Sequence, residues 1–244
     1  MDIRTSEHIG TIDRRSDLLD LLGDRDRAML RAACEAVRLE SGAVLYQPGA
    51  NVDYCYLPLG SAIGSYFVEM DEGLAVETIL VGREGAIGGV VSHGNLPAFA
   101  RANVLHGGHF LRIALRDLEA VKRQSPAVDH LFARYADCML AQVFQSIACN
   151  AVHTIEQRAA KWLVAAVERM GRPDVTMTQE QLASMMGVGR SYASRVLQRF
   201  KHDGLLRTRR GGIEVLDRAG LAGRACSCND QVHDHFAKVL GQIY

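Results

Sequence analysis

Proline and glycine are absent from residues 127 to 170 but recur throughout Ser41 to Ile113, a contrast that confines the chain to two architectures joined in series. Short aromatic and β-branched runs cut by Gly, Pro, Asn and Asp read as an all-β unit. Gly42 to Tyr46 meets Pro48-Gly49, Tyr54 to Leu57 meets Pro58 and Gly60, Ile63 to Val68 meets Asp71-Glu72-Gly73, and Val76 to Leu80 meets Gly82. A Gly-rich stretch precedes Phe110 to Ile113. Strands this short and evenly spaced predict a roll or sandwich. Ahead of them, Leu22, Met29, Leu30, Ala33 and Val37 stand near helical spacing and predict a helix from Leu18 to Val37.

Beyond Pro126 the period is helical. Leu131, Tyr135, Cys138, Gln142, Gln145 and Cys149 alternate four and three residues apart, which predicts the seam of a homodimer. The same stripe also suits a helix lying on its own β-unit, although the two Gln weaken the seam and not that alternative. Val152 to Met170 reads as a second helix, with Ala160, Leu163, Val164 and Val167 on one side and Arg158, Lys161 and Glu168 on the other.

Thr178 to Phe200 holds the most chemistry. Thr178 with Gln181 forms a capping-box pattern that starts a helix burying Leu182, Ala183 and Met186 and ending at Gly187. After Val188-Gly189 a second helix turns Ala193, Val196, Leu197 and Phe200 inward and leaves Arg190, Ser191, Ser194, Arg195, Gln198 and Arg199 outside. Two short helices joined by a Gly-containing turn predict a helix-turn-helix. Arg matches the O6 and N7 acceptors of guanine, Ser bonds to base edges or phosphate, and a helix N-terminus offers free N–H groups to phosphate. Arg195 is therefore expected to read bases, with Arg190 and Ser191 at bases or phosphates. Gly204 to Leu216 alternates around Gly211-Gly212 as a β-hairpin wing would, and its Arg207, Arg209 and Arg210 suit phosphates. Thr178, Ser194 and Arg199 complete the expected DNA-binding set.

Charge locates the same region. The chain is neutral overall, with 28 Lys and Arg against 28 Asp and Glu, so attraction to nucleic acid must be local. From Thr178 to Arg224 basic residues outnumber acidic ones by nine to four. No apolar run approaches the roughly 18 residues of a membrane span, and Met1-Asp2-Ile3-Arg4 lacks an apolar leader, so a cytoplasmic protein without membrane partners is expected. Six cysteines without a Cys-x-x-Cys predict free thiols.

The order of β-roll, long helix and winged helix-turn-helix resembles the Crp/Fnr superfamily of bacterial transcription regulators over residues 18 to 225. Gly187, Arg190, Arg195 and the Val196-Leu197 pair stand where that family has its turn glycine, two DNA-facing arginines and core residues. The resemblance implies an α+β chain: a jelly-roll-like sensory domain with its N-terminal helix (1–125), a dimerisation helix (126–151), a winged helix-turn-helix (152–225) and a helical tail (226–244). It implies a homodimer on palindromic double-stranded DNA, RNA polymerase as a further partner and no catalysis. Ser191 stands where many members have Glu, which changes the expected half-site.

Members that bind cyclic nucleotides hold the ribose with Gly-Glu and the phosphate with Arg-Ser or Arg-Thr. Here Gly89 replaces the Glu, and the second pair falls on Ala98 and Phe99; a shifted register brings Arg101, but followed by Ala102. The helix positions facing the base become Val143 and Phe144. A phosphate without a guanidinium is disfavoured in a partly buried pocket, so neither cyclic AMP nor cyclic GMP is the expected effector. Another small molecule, or none, takes that place.

Cys226, Cys228, His233 and His235 offer zinc-type ligands, but not at a zinc-finger spacing. Val232, Phe236, Val239, Leu240 and Ile243 make the tail an amphipathic helix instead, and no metal or other cofactor is expected. The oxygen-sensing branch carries clustered N-terminal cysteines for an iron–sulfur cluster, where this chain has Cys34 alone. His106-Gly107-Gly108-His109 lacks the His-x-His and Glu of a metal-dependent β-roll enzyme. The competing functional class is a ligand-binding signalling module that acts through protein partners and keeps a vestigial winged helix.

Overall fold

The computed structural model describes residues 15–70, 75–91 and 97–241. Met1 to Arg4, Asp71-Glu72-Gly73 and Ile243 lie outside the described residues. The chain begins with α1 (Asp17–Asp20) and α2 (Asp24–Ala32), then β1 (Glu35–Leu39), β2 (Val44–Tyr46), β3 (Tyr54–Pro58), β4 (Ile63–Glu69), β5 (Ala75–Val81), β6 (Arg101–His106) and β7 (Gly108–Ala114). Next come α3 (Leu115–Gln124), α4 (Pro126–Val152) and α5 (Ile155–Met170). The C-terminal part is β8 (Asp174–Thr176), α6 (Gln179–Met186), α7 (Arg190–His202), β9 (Leu206–Arg209), β10 (Gly212–Val215), α8 (Arg218–Ala222) and α9 (Cys228–Leu240).

Two antiparallel sheets, ordered β1-β7-β3 and β2-β6-β4-β5, form the roll. Their inward residues, among them Tyr46, Leu57, Val104, Phe110 and Ile113, share one buried core with Leu118 of α3, Leu131 and Phe132 of α4, and Val232, Phe236 and Leu240 of α9. The expected helix from Leu18 to Val37 is corrected here. Gly23 separates α1 from α2, α2 stops at Ala32, and Val37 lies in β1 opposite Phe110. A long-range ladder takes the residues whose spacing also fits a helix, because pairing with β7 satisfies their backbone groups and buries the apolar side.

The stretch without Pro or Gly is two helices. Ser125 caps α4 by accepting the Val128 N–H, and Pro126 occupies the first turn, where its missing N–H costs nothing. At Thr154 a capping box with Gln157 starts α5, so a polar cap breaks the run.

The seam expected on α4 is also corrected. Leu131, Tyr135, Cys138 and Cys149 are buried within the single chain. The Tyr135 hydroxyl donates to the Ala86 carbonyl at 3.2 Å, and its ring meets Phe236 edge-on. Gln142 donates to the Leu80 carbonyl at 3.2 Å, and Gln145 is half-buried. Four of the six residues of that face are thus spent on the chain's own roll and tail. Leu140, Phe144 and Ile147, four and three residues apart, are instead 53%, 65% and 63% exposed. Two apolar stripes share the helix, and periodicity does not say which one faces the body.

A second core joins the winged region to the roll, since Ile63, Phe67 and Leu80 pack with Trp162, Leu163, Leu182, Leu197 and Phe200. The Ser184 hydroxyl donates to the Ala75 carbonyl at 2.8 Å, docking α6 on β5. Arg169 Nε and Glu84 Oε1 form a buried ion pair at 2.7 Å across the same junction.

Candidate nucleic-acid interface

The turn between α6 and α7 is built as its sequence requires. Thr178 accepts from the Gln181 N–H, and the Gln181 side chain accepts from the Thr178 N–H. Gly187 ends α6 at φ +65°, a left-handed conformation that glycine adopts without steric penalty. Gly189 then starts α7, whose Ala193, Val196, Leu197 and Phe200 are buried.

On the opposite side Arg190, Ser191 and Arg195 are exposed and Ser194 is half-buried. Neither arginine meets a carboxylate among the described residues. The Arg195 guanidinium lies over the Tyr192 ring, 5.2 Å from its centroid, which restricts where the fork points. Tyr192 was absent from the expected set; its position on α7 beside Ser191 was the available signal, but aromatic character alone reads as core.

The remaining arginines are committed differently. Arg199 is ion-paired with Glu156 at 2.5 Å and ties α7 to the first turn of α5. Arg207 and Arg209 both pair with Glu214 across the hairpin, and Arg209 also reaches Asp174 at 3.4 Å. Arg210 sits exposed in the two-residue turn before Gly212, with no carboxylate partner among the described residues. The hairpin is therefore a wing, with β8 as a third strand in the order β8-β10-β9. Thr178 remains exposed, its hydroxyl engaged as the α6 cap.

In the roll, Gly89 lies at φ +57° and a Cβ there would fall 2.0 Å from a Leu115 methyl, so no side chain fits without displacing the start of α3. Ala98 is half-buried and Phe99 is 85% exposed. Arg101 pairs with Glu69 at 3.6 Å and lies over the Phe67 ring. Beside Gly88, the Tyr66 hydroxyl accepts the Gly88 N–H at 2.8 Å and the Tyr46 hydroxyl donates to the Tyr54 carbonyl. Val143 is half-buried and Phe144 is exposed. His106 is turned to Arg172, and burial together with that guanidinium holds its imidazole below the usual range.

The tail residues separate into two groups. Cys226 and Cys228 are buried beside Cys149 and His153. His233 lies elsewhere, within 3.3 Å of Asn229 and lining a small cavity with Glu84 and Arg169, and His235 is half-buried on α9. His233 and His235 therefore do not join the two cysteines. Val232, Phe236 and Leu240 are buried and Val239 packs against them, as an amphipathic tail requires.

A helix-turn-helix with a wing, carried on a roll through a long helix, is the arrangement of a DNA-binding transcription regulator. Residues 157–224 match the Crp-like helix-turn-helix domain. The chain is 23% identical over 202 residues to the transcriptional regulatory protein btr of Bordetella pertussis, covering 77% of this chain and 79% of that one. Its fold is shared with FixK2 from Bradyrhizobium japonicum, at 15% identity and a TM-score of 0.66 over 79% of this chain and 98% of the other. It is shared as well with a CRP/FNR-family transcriptional regulator from Thermus thermophilus, TTHA1359, at 22% identity and a TM-score of 0.63 over 78% and 98%. No helix among the described residues is long and apolar enough to cross a membrane.

Proposed function

We propose that the chain binds a palindromic operator in the cytoplasm as a homodimer, with α7 of each copy in the major groove and Arg195, Arg190 and Ser191 at base edges or flanking phosphates. The observation that carries this reading is the division of labour among the arginines. Those on the first turns of α7 face solvent without carboxylate partners, whereas Arg199, Arg207 and Arg209 are held by Glu156, Glu214 and Asp174. Arg210 at the wing tip is the sequence-independent phosphate contact. Leu140, Phe144 and Ile147 supply the seam between copies in place of the stripe buried on the roll. Such a dimer sets its two reading helices about 34 to 36 Å apart, one turn of B-form duplex.

The effector is not a cyclic nucleotide. Gly89 is walled by Leu115, Arg101 is engaged with Glu69 and Phe67, and Phe99 faces solvent, so the residues present offer no cradle for a cyclic phosphate.

Selection from a random duplex pool with the full chain is expected to return an inverted repeat, and binding to it is expected to weaken steeply with salt. Phe144→Asp is expected to leave single subunits in sedimentation and to abolish the preference for the repeat over one half-site. Millimolar cyclic AMP or cyclic GMP is expected to leave the melting temperature unchanged. A chain that prefers no duplex over heparin, or stays monomeric at working concentrations before mutation, overturns the reading.

A further inference from the structure

We propose that Cys149, His153, Cys226 and Cys228 form a closed tetrahedral site for one zinc ion, which clamps the end of the long helix to the start of the C-terminal tail. Three Sγ atoms and one imidazole nitrogen lie within 4.8 Å of one another. Cys149 and Cys226 are nevertheless 77 residues apart in the chain. Cys149 lies on the last turn of α4 and His153 caps it, while Cys226 stands two residues before α9 and Cys228 opens it. The three thiols are 1%, 8% and 2% exposed and form a small cluster of their own, apart from both main cores.

The geometry suits a single ion. With Zn–S near 2.3 Å and Zn–N near 2.0–2.1 Å, a tetrahedron has edges of about 3.8 Å between sulfurs and about 3.6 Å between sulfur and nitrogen. Cys149 and Cys226 Sγ stand 3.6 Å apart, and Cys228 Sγ stands 3.4 Å from His153 Nδ1. An iron–sulfur cluster interposes several metal and sulfide atoms and needs its ligands farther apart. A disulfide needs the two sulfurs at about 2.05 Å.

The surroundings balance the charge. Three thiolates and a neutral imidazole leave Zn²⁺ with one net negative charge. Lys161 Nζ lies 3.5 Å from Cys149 Sγ, and the Arg158 guanidinium is near enough to feel both Cys149 and Cys226. Cys228 is the first residue of α9, where the positive end of the helix dipole favours a thiolate. Four protein ligands leave no open position, so the ion is structural. It sits where α4 gives way to α5 and thus fixes the direction in which the winged domain leaves the long helix.

The test uses the full chain, purified under reducing conditions, stripped with chelator and titrated with Co²⁺ and Zn²⁺. The expected result is one equivalent of Co²⁺ per chain, with the intense visible bands and sulfur-to-metal charge-transfer absorption of a tetrahedral thiolate site, displaced by Zn²⁺. Zinc is expected to raise the melting temperature. Cys149→Ser and Cys228→Ser are expected to weaken zinc retention on the order of a hundredfold or more, while Cys34→Ser leaves it unchanged. Sub-stoichiometric Co²⁺, an octahedral spectrum without thiolate absorption, an iron–sulfur spectrum, or a Cys149–Cys226 disulfide in chain that takes up no metal each overturn the proposal. The cobalt spectrum of the unmutated chain decides the matter even if a variant fails to fold, and none of these readouts depends on DNA binding.

Discussion

At the scale of single residues, two arginines with the same charge are set for different work. Arg195 is packed on Tyr192 near the start of α7, and Arg210 stands at the tip of the wing. Arg195→Ala is expected to cost roughly 1 to 3 kcal/mol on the selected duplex and to relax the preference at one base position. Arg210→Ala is expected to weaken cognate and scrambled duplexes alike and to lower the salt slope by about one. Equal losses on both duplexes from both variants would contradict the assignment. Gly187 gives a stability test at the same scale. A Cβ there meets Val76 at 3.4 Å, an ordinary contact, so backbone strain at φ +65° governs the effect. Gly187→Ala is expected to destabilise by about 1 kcal/mol in urea unfolding, with an unchanged slope. The Gly turn, the Thr178 cap and the inward face of α7 were all legible in the sequence, because each is a local rule satisfied within four residues. The partner of Arg199 was not, since its ion pair with Glu156 depends on the tertiary path.

Elements were legible by type more readily than by facing. The strand punctuation and the helical run after Pro126 gave the right kinds of element, yet the stripe from Leu131 to Cys149 faces the roll and the C-terminal tail. A helix with apolar residues on two sides carries no local mark of which side meets its own body. The same limit hid Cys149 and His153 from the tail cysteines, for no spacing rule links residues so far apart. The join between elements is testable at the Glu84–Arg169 pair, which links the turn after β5 to α5 and is almost wholly buried. Burial alone would raise the Glu84 pKa, but the Arg169 charge and hydrogen bond hold it below the usual range. Glu84→Gln removes the carboxylate that faces the buried Arg169 guanidinium and is expected to cost about 3 to 5 kcal/mol in thermal unfolding. Arg169→Met with Glu84→Gln is expected to recover part of that loss, since the buried guanidinium is removed together with its carboxylate; a double variant worse than the sum of both singles would show that the pair is not what holds the junction.

Across the whole molecule, the roll and the winged domain meet over β5, and a second carboxylate at that meeting links their association to pH. Glu77 faces Lys161 and Met185 across a cavity between β5, α4, α5 and α6. Burial pushes its pKa from 4.5 to about 7 against the opposing effects of the Ser65 hydroxyl and the charges of Lys161 and Arg169. A carboxyl whose folded pKa is raised stabilises the fold fully below the unfolded value, and that contribution is lost as pH rises through the folded value. The loss therefore falls between pH 4.5 and about 7 and, at 1.36 kcal/mol for each pH unit, reaches on the order of 3 kcal/mol. His106 and His233, both depressed first by burial, act in the opposite sense as pH falls through the histidine range, so the raw curve mixes the effects. Glu77→Gln isolates the carboxyl, because the amide resembles the protonated acid in shape and does not titrate. The stability of the Gln variant relative to the unmutated chain is expected to be flat below pH 4.5, to climb through the window and to level off above about pH 7. Parallel curves across that range would mean that Glu77 is as well solvated in the fold as in the unfolded chain, and that the roll and the winged domain meet less closely than the structure places them.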